Sequence, residues 1–191
     1  MVLSGTTLYV GGHFSTIGGQ ARTYVAALNT TTGLANSFIP NPNSVVKTMA
    51  LSGTTLYVGG GFTSIGGQSR NFIAALDTTS GLATAFNPNA NNQVSTLAID
   101  GTTLYVGGYF TNIGGQARNR LASLNTTTGL ATAFNPNANN SFSALTINGS
   151  TLYVGGSFTT IGGENRNRIA AVDATSGLAT SFDPNPTGNS V

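Results

Sequence analysis

Cysteine and tryptophan are absent from this 191-residue chain, histidine occurs once, and charged residues make up only 6% of it. Without cysteine, disulfides and thiolate metal sites are excluded. A lone His13 cannot build a histidine-based metal centre within one chain. The calcium-loop pattern Asp-x-Asp-x-Asp-Gly is missing as well. No metal and no cofactor is expected. Seven basic residues, six of them arginine, face five acidic ones and are spread evenly along the chain. That is too sparse for the basic stripe that nucleic acid or an anionic membrane requires. No apolar run reaches the length of a membrane span, so insertion is not expected. Met1-Val2-Leu3 leads straight into repeated sequence, and no signal peptide is read in this chain. Asn, Thr and Gly supply the polar surface instead of charge. That composition points to an extracellular or cell-surface protein, of which this chain is expected to be a fragment.

What is present is repetition. "LYVGGHFSTIGG" at Leu8 returns as "LYVGGGFTSIGG" at Leu56, "LYVGGYFTNIGG" at Leu104 and "LYVGGSFTTIGG" at Leu152. Gly5, Gly53, Gly101 and Gly149 are spaced by 48 residues, as are Phe38, Phe86, Phe134 and Phe182. The repeats starting at Gly53 and Gly101 differ at 13 of 48 positions. Periods in the forties with short apolar runs mark propeller blades, and no helical 3.6-residue pattern competes.

Each repeat reads as strands. "VSTLAID" from Val94 is a first strand ending at Asp100-Gly101, a hairpin signal whose two central residues should take positive φ. "TLYVGGYF", Thr103 to Phe110, is a second, rich in branched and aromatic residues. "NIGGQAR" reads as a connection to a third strand, "NRLASLN", Asn119 to Asn125. "TTTG" turns the chain at Gly129, and "LATAFNP" is a short outer strand stopped by Pro136. The expected fold is an all-β propeller of four four-stranded antiparallel blades, at 5–52, 53–100, 101–148 and 149–191, forming a single domain. A β-solenoid is the alternative.

The phrase resembles the bacterial β-propeller repeat family related to the delta-60 repeat, whose blades carry "LYVGG.F…GG…R..LA.LD..TG". The resemblance spans nearly the whole chain and implies the propeller fold. It implies little about function. "ALDTTSG" is also similar to blades of quinone-dependent dehydrogenases, but the tryptophan of those blades is missing, and the activity is not carried over.

Phosphate chemistry does not fit the glycines. Gly59 and Gly61 match the start of a dinucleotide fingerprint, but Ser64 stands where the third glycine belongs, and no lysine completes a Walker loop. A glycine pair within a strand instead marks a bulge or a close approach of neighbouring backbone. The carboxylates dissolve on alignment. Asp77 and Asp173 replace Asn29 and Asn125, which suits a side chain capping a turn, charge being optional. Only Glu164 is unusual, replacing a glutamine, and with His13 it would need ring closure to form a pair. No catalytic residue is assigned.

Arg22, Arg70, Arg118 and Arg166 recur once per repeat. They could ring a carboxylate or phosphate ligand, or bond loop carbonyls and tie each blade to its neighbour. Against the constant frame two sets of positions vary. One is His13, Gly61, Tyr109 and Ser157; the other is Tyr24, Phe72, Arg120 and Arg168. They lie near the long connections, whose amide and guanidinium groups suit sugar hydroxyls or peptide backbone. A non-catalytic binding or scaffold propeller is the expectation, with carbohydrate or peptide as ligand. A propeller enzyme with a site at the channel mouth and a purely structural or engineered array are the alternatives.

Self-association is also expected. Met1-Val2-Leu3 aligns with Met49-Ala50-Leu51, and Val191 falls opposite Lys47, so each end holds part of one strand. Small residues at Gly59, Gly60, Ala74, Ala75 and Ala83 suit closely packed sheets and a shallow angle between them. Two chains would then form an eight-bladed ring, with a four-bladed monomer as the alternative.

Overall fold

The computed structural model describes residues 1–187, and among them there is no helix. Val191, and the expectation placed on it, lies outside the described residues. Four three-stranded antiparallel sheets follow one another along the chain. The first holds Val2–Ser4, Thr7–Gly11 and Val25–Asn29, and the second Val46–Ser52, Thr55–Gly60 and Ile73–Asp77. The third holds Val94–Asp100, Thr103–Gly108 and Leu121–Asn125, and the fourth Phe142–Asn148, Thr151–Gly156 and Ile169–Asp173. Every ladder is antiparallel, unlike the parallel coils of a solenoid.

Leading strands of successive sheets pack side by side, and the sheets meet face to face. At each of the three junctions the earlier sheet presents a Tyr/Phe face and the later one a Leu/Val face. Tyr57, Ile73 and Phe86 of the second sheet thus share one core with Leu104, Val106, Phe110 and Leu124 of the third. Equivalent residues fuse the first sheet to the second and the third to the fourth. Burying a large apolar side chain contributes about 1.5–3 kcal/mol, so these cores dominate stability.

Glycine makes the close stacking possible. A Cβ on Gly59 would stand 2.5 Å from Val94 Cγ1 of the next sheet, while one on Gly60 would strike the Val45 carbonyl within its own sheet. Opposite this pair the register slips between Val46 and Thr48, a bulge at the place the glycines indicated.

Three local expectations need correction. Asp100 pairs with Thr103, so the turn is Gly101-Thr102, and only Gly101 takes positive φ, at 53°. This fits a II′ turn with glycine leading, in which Asp100 is simply the last strand residue. The paired positive-φ turn occurs instead within "NIGGQA", read above as a connection. Asn112–Ile113 and Gln116–Ala117 form a small hairpin across Gly114 and Gly115, at φ 60° and 77°. Finally, "LATAFNP" makes only one bridge, Leu124 to Ala131. Only part of its hydrogen bonding goes to the third strand, where the Leu130 carbonyl accepts from Asn125 and the Thr132 N–H donates to the Ser123 carbonyl. The Ala131 N–H donates instead to the Gly114 carbonyl, and the Thr132 carbonyl accepts Arg118.

Candidate functional site

The turn position held by Asn29, Asp77, Asn125 and Asp173 behaves as alignment suggested. In each repeat its Oδ1 accepts the N–H groups of the second and third residues that follow. Bonds from the Ser80 and Ser176 backbone and hydroxyls hold the Asp77 and Asp173 carboxyls below the usual carboxylate range. These acids are structural caps.

The recurrent arginines also act within the frame. Arg118 donates from one terminal nitrogen to the Ala117 carbonyl at 2.8 Å and from the other to the Thr132 carbonyl at 2.6 Å. Arg22, Arg70 and Arg166 repeat the pattern on Asn36, Thr84 and Thr180. Both carbonyls belong to the arginine's own repeat, which corrects the expectation that it ties one blade to the next. Each clamp fastens an outer segment to its own sheet, and its Nε is buried without a partner. Among the described residues, Arg166 alone adds an acid, Asp183, at 3.8 Å.

Adjacent repeats are tied by other groups. Gly66, Gly114 and Gly162 each donate N–H to the carbonyl of Pro40, Pro88 or Pro136 in the preceding repeat. Tyr57 and Tyr105 reach across to the Thr126 and Ala174 carbonyls of the following one. Burial raises both phenols above their ordinary pKa; the Thr126 bond opposes the shift at Tyr57, whereas the charges of Asp100 and Asp173 add to it at Tyr105.

The variable positions do converge, at one junction. Gly61 and Phe72 of the second repeat and Tyr109 and Arg120 of the third line a cavity of about 340 Å³, together with Asn92 and Gln93. Tyr109 is 44% exposed, and its carbonyl accepts Arg120 at 2.6 Å, which fixes the guanidinium against the rim. Lys47 donates to the Gln93 side chain at 2.8 Å. His13 and Tyr24 meet edge to face at 5.7 Å in the first repeat, away from this cavity. Glu164 lies in the fourth hairpin opposite Ile161, and Arg168 and Ser157 sit in the fourth repeat. Sequence reading missed Gln93. Its signal was there, since this position varies as Val45, Gln93 and Ser141 beside a nearly constant Asn-Pro-Asn segment.

The backbone under the second variable set is unusual. Tyr24, Phe72, Arg120 and Arg168 all take left-handed φ, between 60° and 66°. The frame imposes it: the Arg120 N–H donates to the Phe110 carbonyl, while its own carbonyl accepts from Gly108. Left-handed backbone costs a bulky residue roughly 1–2 kcal/mol and favours Gly or Asn. Asn41, Asn89, Asn137 and Asn185 are asparagines at such positions, as expected, whereas the variable set is bulky.

Comparison with known proteins bears on this architecture. A family model described as "Domain of unknown function (DUF5122) beta-propeller" matches residues 55–80, 100–127 and 150–170. The matched segments are similar to that family's β-propeller repeats. The chain's architecture is also similar to that of solved structures. The computationally designed Ika8 protein superposes with a TM-score of 0.66 at 14% identity, over 100% of this chain and 49% of its own. The computationally designed Ika4 protein gives 0.55 at 13%, with 78% of each chain covered. The extracellular domain described as that of a one-component system from B. thetaiotaomicron gives 0.55 at 15%, over 96% of this chain and 22% of its own. The chain therefore spans about half the length of the designed Ika8 protein. No curated protein matches it. At these identities the structural likeness concerns the fold.

Proposed function

We propose that the chain is a four-bladed, non-catalytic binding module of an exported protein, related to the delta-60 repeat, and that it holds carbohydrate in the cavity between its second and third blades. The single bridge at each outer edge is the remnant of the fourth strand. The observation that carries the binding role is the left-handed backbone at Phe72 and Arg120. Drift at such positions would settle on Gly or Asn, which relieve the strain, so bulky side chains kept there point to use. An exposed tyrosine ring, two amides and a guanidinium fit a sugar, which offers a flat C–H face and vicinal hydroxyls. No carboxylate, histidine or hydroxyl nucleophile pairs there, which supports binding without turnover. Likeness to an extracellular domain and a weakly charged, Asn- and Thr-rich sequence support export.

A glycan array followed by calorimetry on the hit tests the reading. Tyr109→Ala and Arg120→Gly should each weaken binding about tenfold or more. Arg120→Gly should also raise thermal stability, because it removes the backbone strain. Unchanged affinity in both variants, or cleavage of the bound glycan, overturns the proposal. Binding to peptides alone would move the ligand class to peptide backbone.

A further inference from the structure

The first and fourth sheets each leave one face without a neighbour among the described residues, and the two faces differ in kind. The first sheet leaves its Leu/Val face open: Leu8, Val10, Phe14 and Leu28 are half-buried, whereas Leu56, Val58, Phe62 and Leu76 are fully buried. The fourth leaves its Tyr/Phe face open. Phe182 is 43% exposed, against 1% for Phe38, 3% for Phe86 and 1% for Phe134. Tyr153, Ile169, Leu145 and Ala144 line an apolar groove of about 250 Å³ there. These are the two faces that bury one another at all three internal junctions.

The polar fittings match as well. Internal junctions use a hairpin glycine N–H on a proline carbonyl. Among the described residues Gly18 has no such proline, and Pro184 has no such glycine. Pro40, Pro88 and Pro136 are buried while Pro184 is exposed; Gly81, Gly129 and Gly177 are buried while Gly33 is exposed. Each open face thus carries the missing half of a junction the chain already makes three times.

We propose that two copies of this chain dock head to tail through these faces, the fourth sheet of each against the first sheet of the other, closing an eight-sheet ring. Because the interface is the internal junction repeated, it needs no new surface. With a rotation per sheet that closes the ring at eight, both ends are used and assembly stops at two. The superposition of the whole chain on 49% of a designed protein of this fold leaves room for such a second half. By the same equivalence, Ser157 and Arg168 of one copy take the places of Gly61 and Phe72, and His13 and Tyr24 of the other take those of Tyr109 and Arg120. Pairing would then add a cavity like the one described above. The docking itself does not depend on any ligand.

Light scattering and directed cross-linking of the whole chain test this. At micromolar concentration the expected mass is twice that of the chain, and Tyr153→Arg should return it to one while circular dichroism stays β. A monomer in the unaltered chain overturns the proposal, and so does a ladder of higher multiples. Asn43 and Thr63 bond across an internal junction at 2.8 Å. Their counterparts across the proposed junction are Thr187 and Ser15. The chain has no cysteine of its own, so single variants Ser15→Cys and Thr187→Cys, mixed and oxidised, should give a covalent pair, and neither should do so alone. Asn43→Cys with Thr63→Cys, bridging within one chain, is the control for reach. If the control bridges and the mixture does not, the proposal fails. It also fails if either single variant couples to itself, or if the Ser15→Cys, Thr187→Cys double variant bridges internally as a monomer.

Discussion

Gly107 and Gly155 occupy the same place in consecutive repeats, in the same "LYVGG" phrase, yet they stand in different worlds. A methyl on Gly107 would lie 2.7 Å from Thr96 Cγ2 and 2.9 Å from Phe142 Cβ. On Gly155 the nearest atom within reach would be Ala144 Cβ at 3.7 Å. Phe134 and Phe182 differ likewise, one buried and the other 43% exposed. Local sequence builds the same sheet at both places, but the environment of its face is decided by whether another sheet stands against it. In a repeat protein the unit's shape is local and its stability belongs to the junction.

The largest test of that contrast is aromatic truncation. Phe86→Ala, inside the second junction, should cost about 3–5 kcal/mol in urea unfolding. Phe182→Ala should cost clearly less in dilute protein, where its ring is wet, and more as concentration brings copies together. Equal costs at all concentrations would show that the two faces are not different in solution.

Glycine substitution comes next. Gly107→Ala must push Thr96 or Phe142 aside and should cost about 1–3 kcal/mol. Gly155→Ala in the unpaired chain should escape that overpacking penalty. The measurement is the urea midpoint of each variant at low concentration.

Changes within a single repeat should be blind to the junction. Arg118→Lys keeps the charge but cannot reach both the Ala117 and Thr132 carbonyls with one ammonium, at a cost of about 1 kcal/mol. Arg22→Lys should cost the same, since its carbonyl partners, those of Ala21 and Asn36, also lie in its own repeat. A large difference between them would mean the clamps do reach across repeats.

Titration gives the smallest effects and separates the two kinds of contact by pH. Tyr57 and Tyr105 are held neutral by burial at junctions, so their contribution is fully present below about pH 10 and is lost as pH rises through the elevated folded pKa. Tyr57→Phe with Tyr105→Phe should flatten that alkaline loss. Asp77 and Asp173 have lowered pKa values, so their capping contribution is present above about pH 4 and fades as pH falls through the folded value. Replacing both by Asn, as at Asn29 and Asn125, should remove the acid-side dependence and leave the cap.

Much of this architecture was legible in residue order. The 48-residue step, the three main strands, the glycine bulge and the Asx cap all rest on contacts within a few residues or on strict repetition, which a sequence displays directly. The small hairpin was legible too: Gly114-Gly115 between Ile113 and Gln116 is a I′ signal, passed over because its strands are only two residues long. The outer segment alternates like a strand but pairs with the third strand through only one bridge, because Gly114 holds the Ala131 N–H and Arg118 holds the Thr132 carbonyl.

By itself the sequence determined the unit, its strands and turns, and which residues vary against a constant frame. Only the tertiary structure decided that Phe72, Tyr109 and Arg120 share a cavity while His13 and Tyr24 pair elsewhere. It alone put left-handed backbone beneath the second variable set, and it alone turned the arginines inward on their own repeats. The physical reason is distance along the chain. Caps and turns join residues two or three apart, whereas the cavity joins positions 61 and 120 across a junction made by stacking sheets. No local pattern encodes how one sheet sits on the next; packing of their faces does.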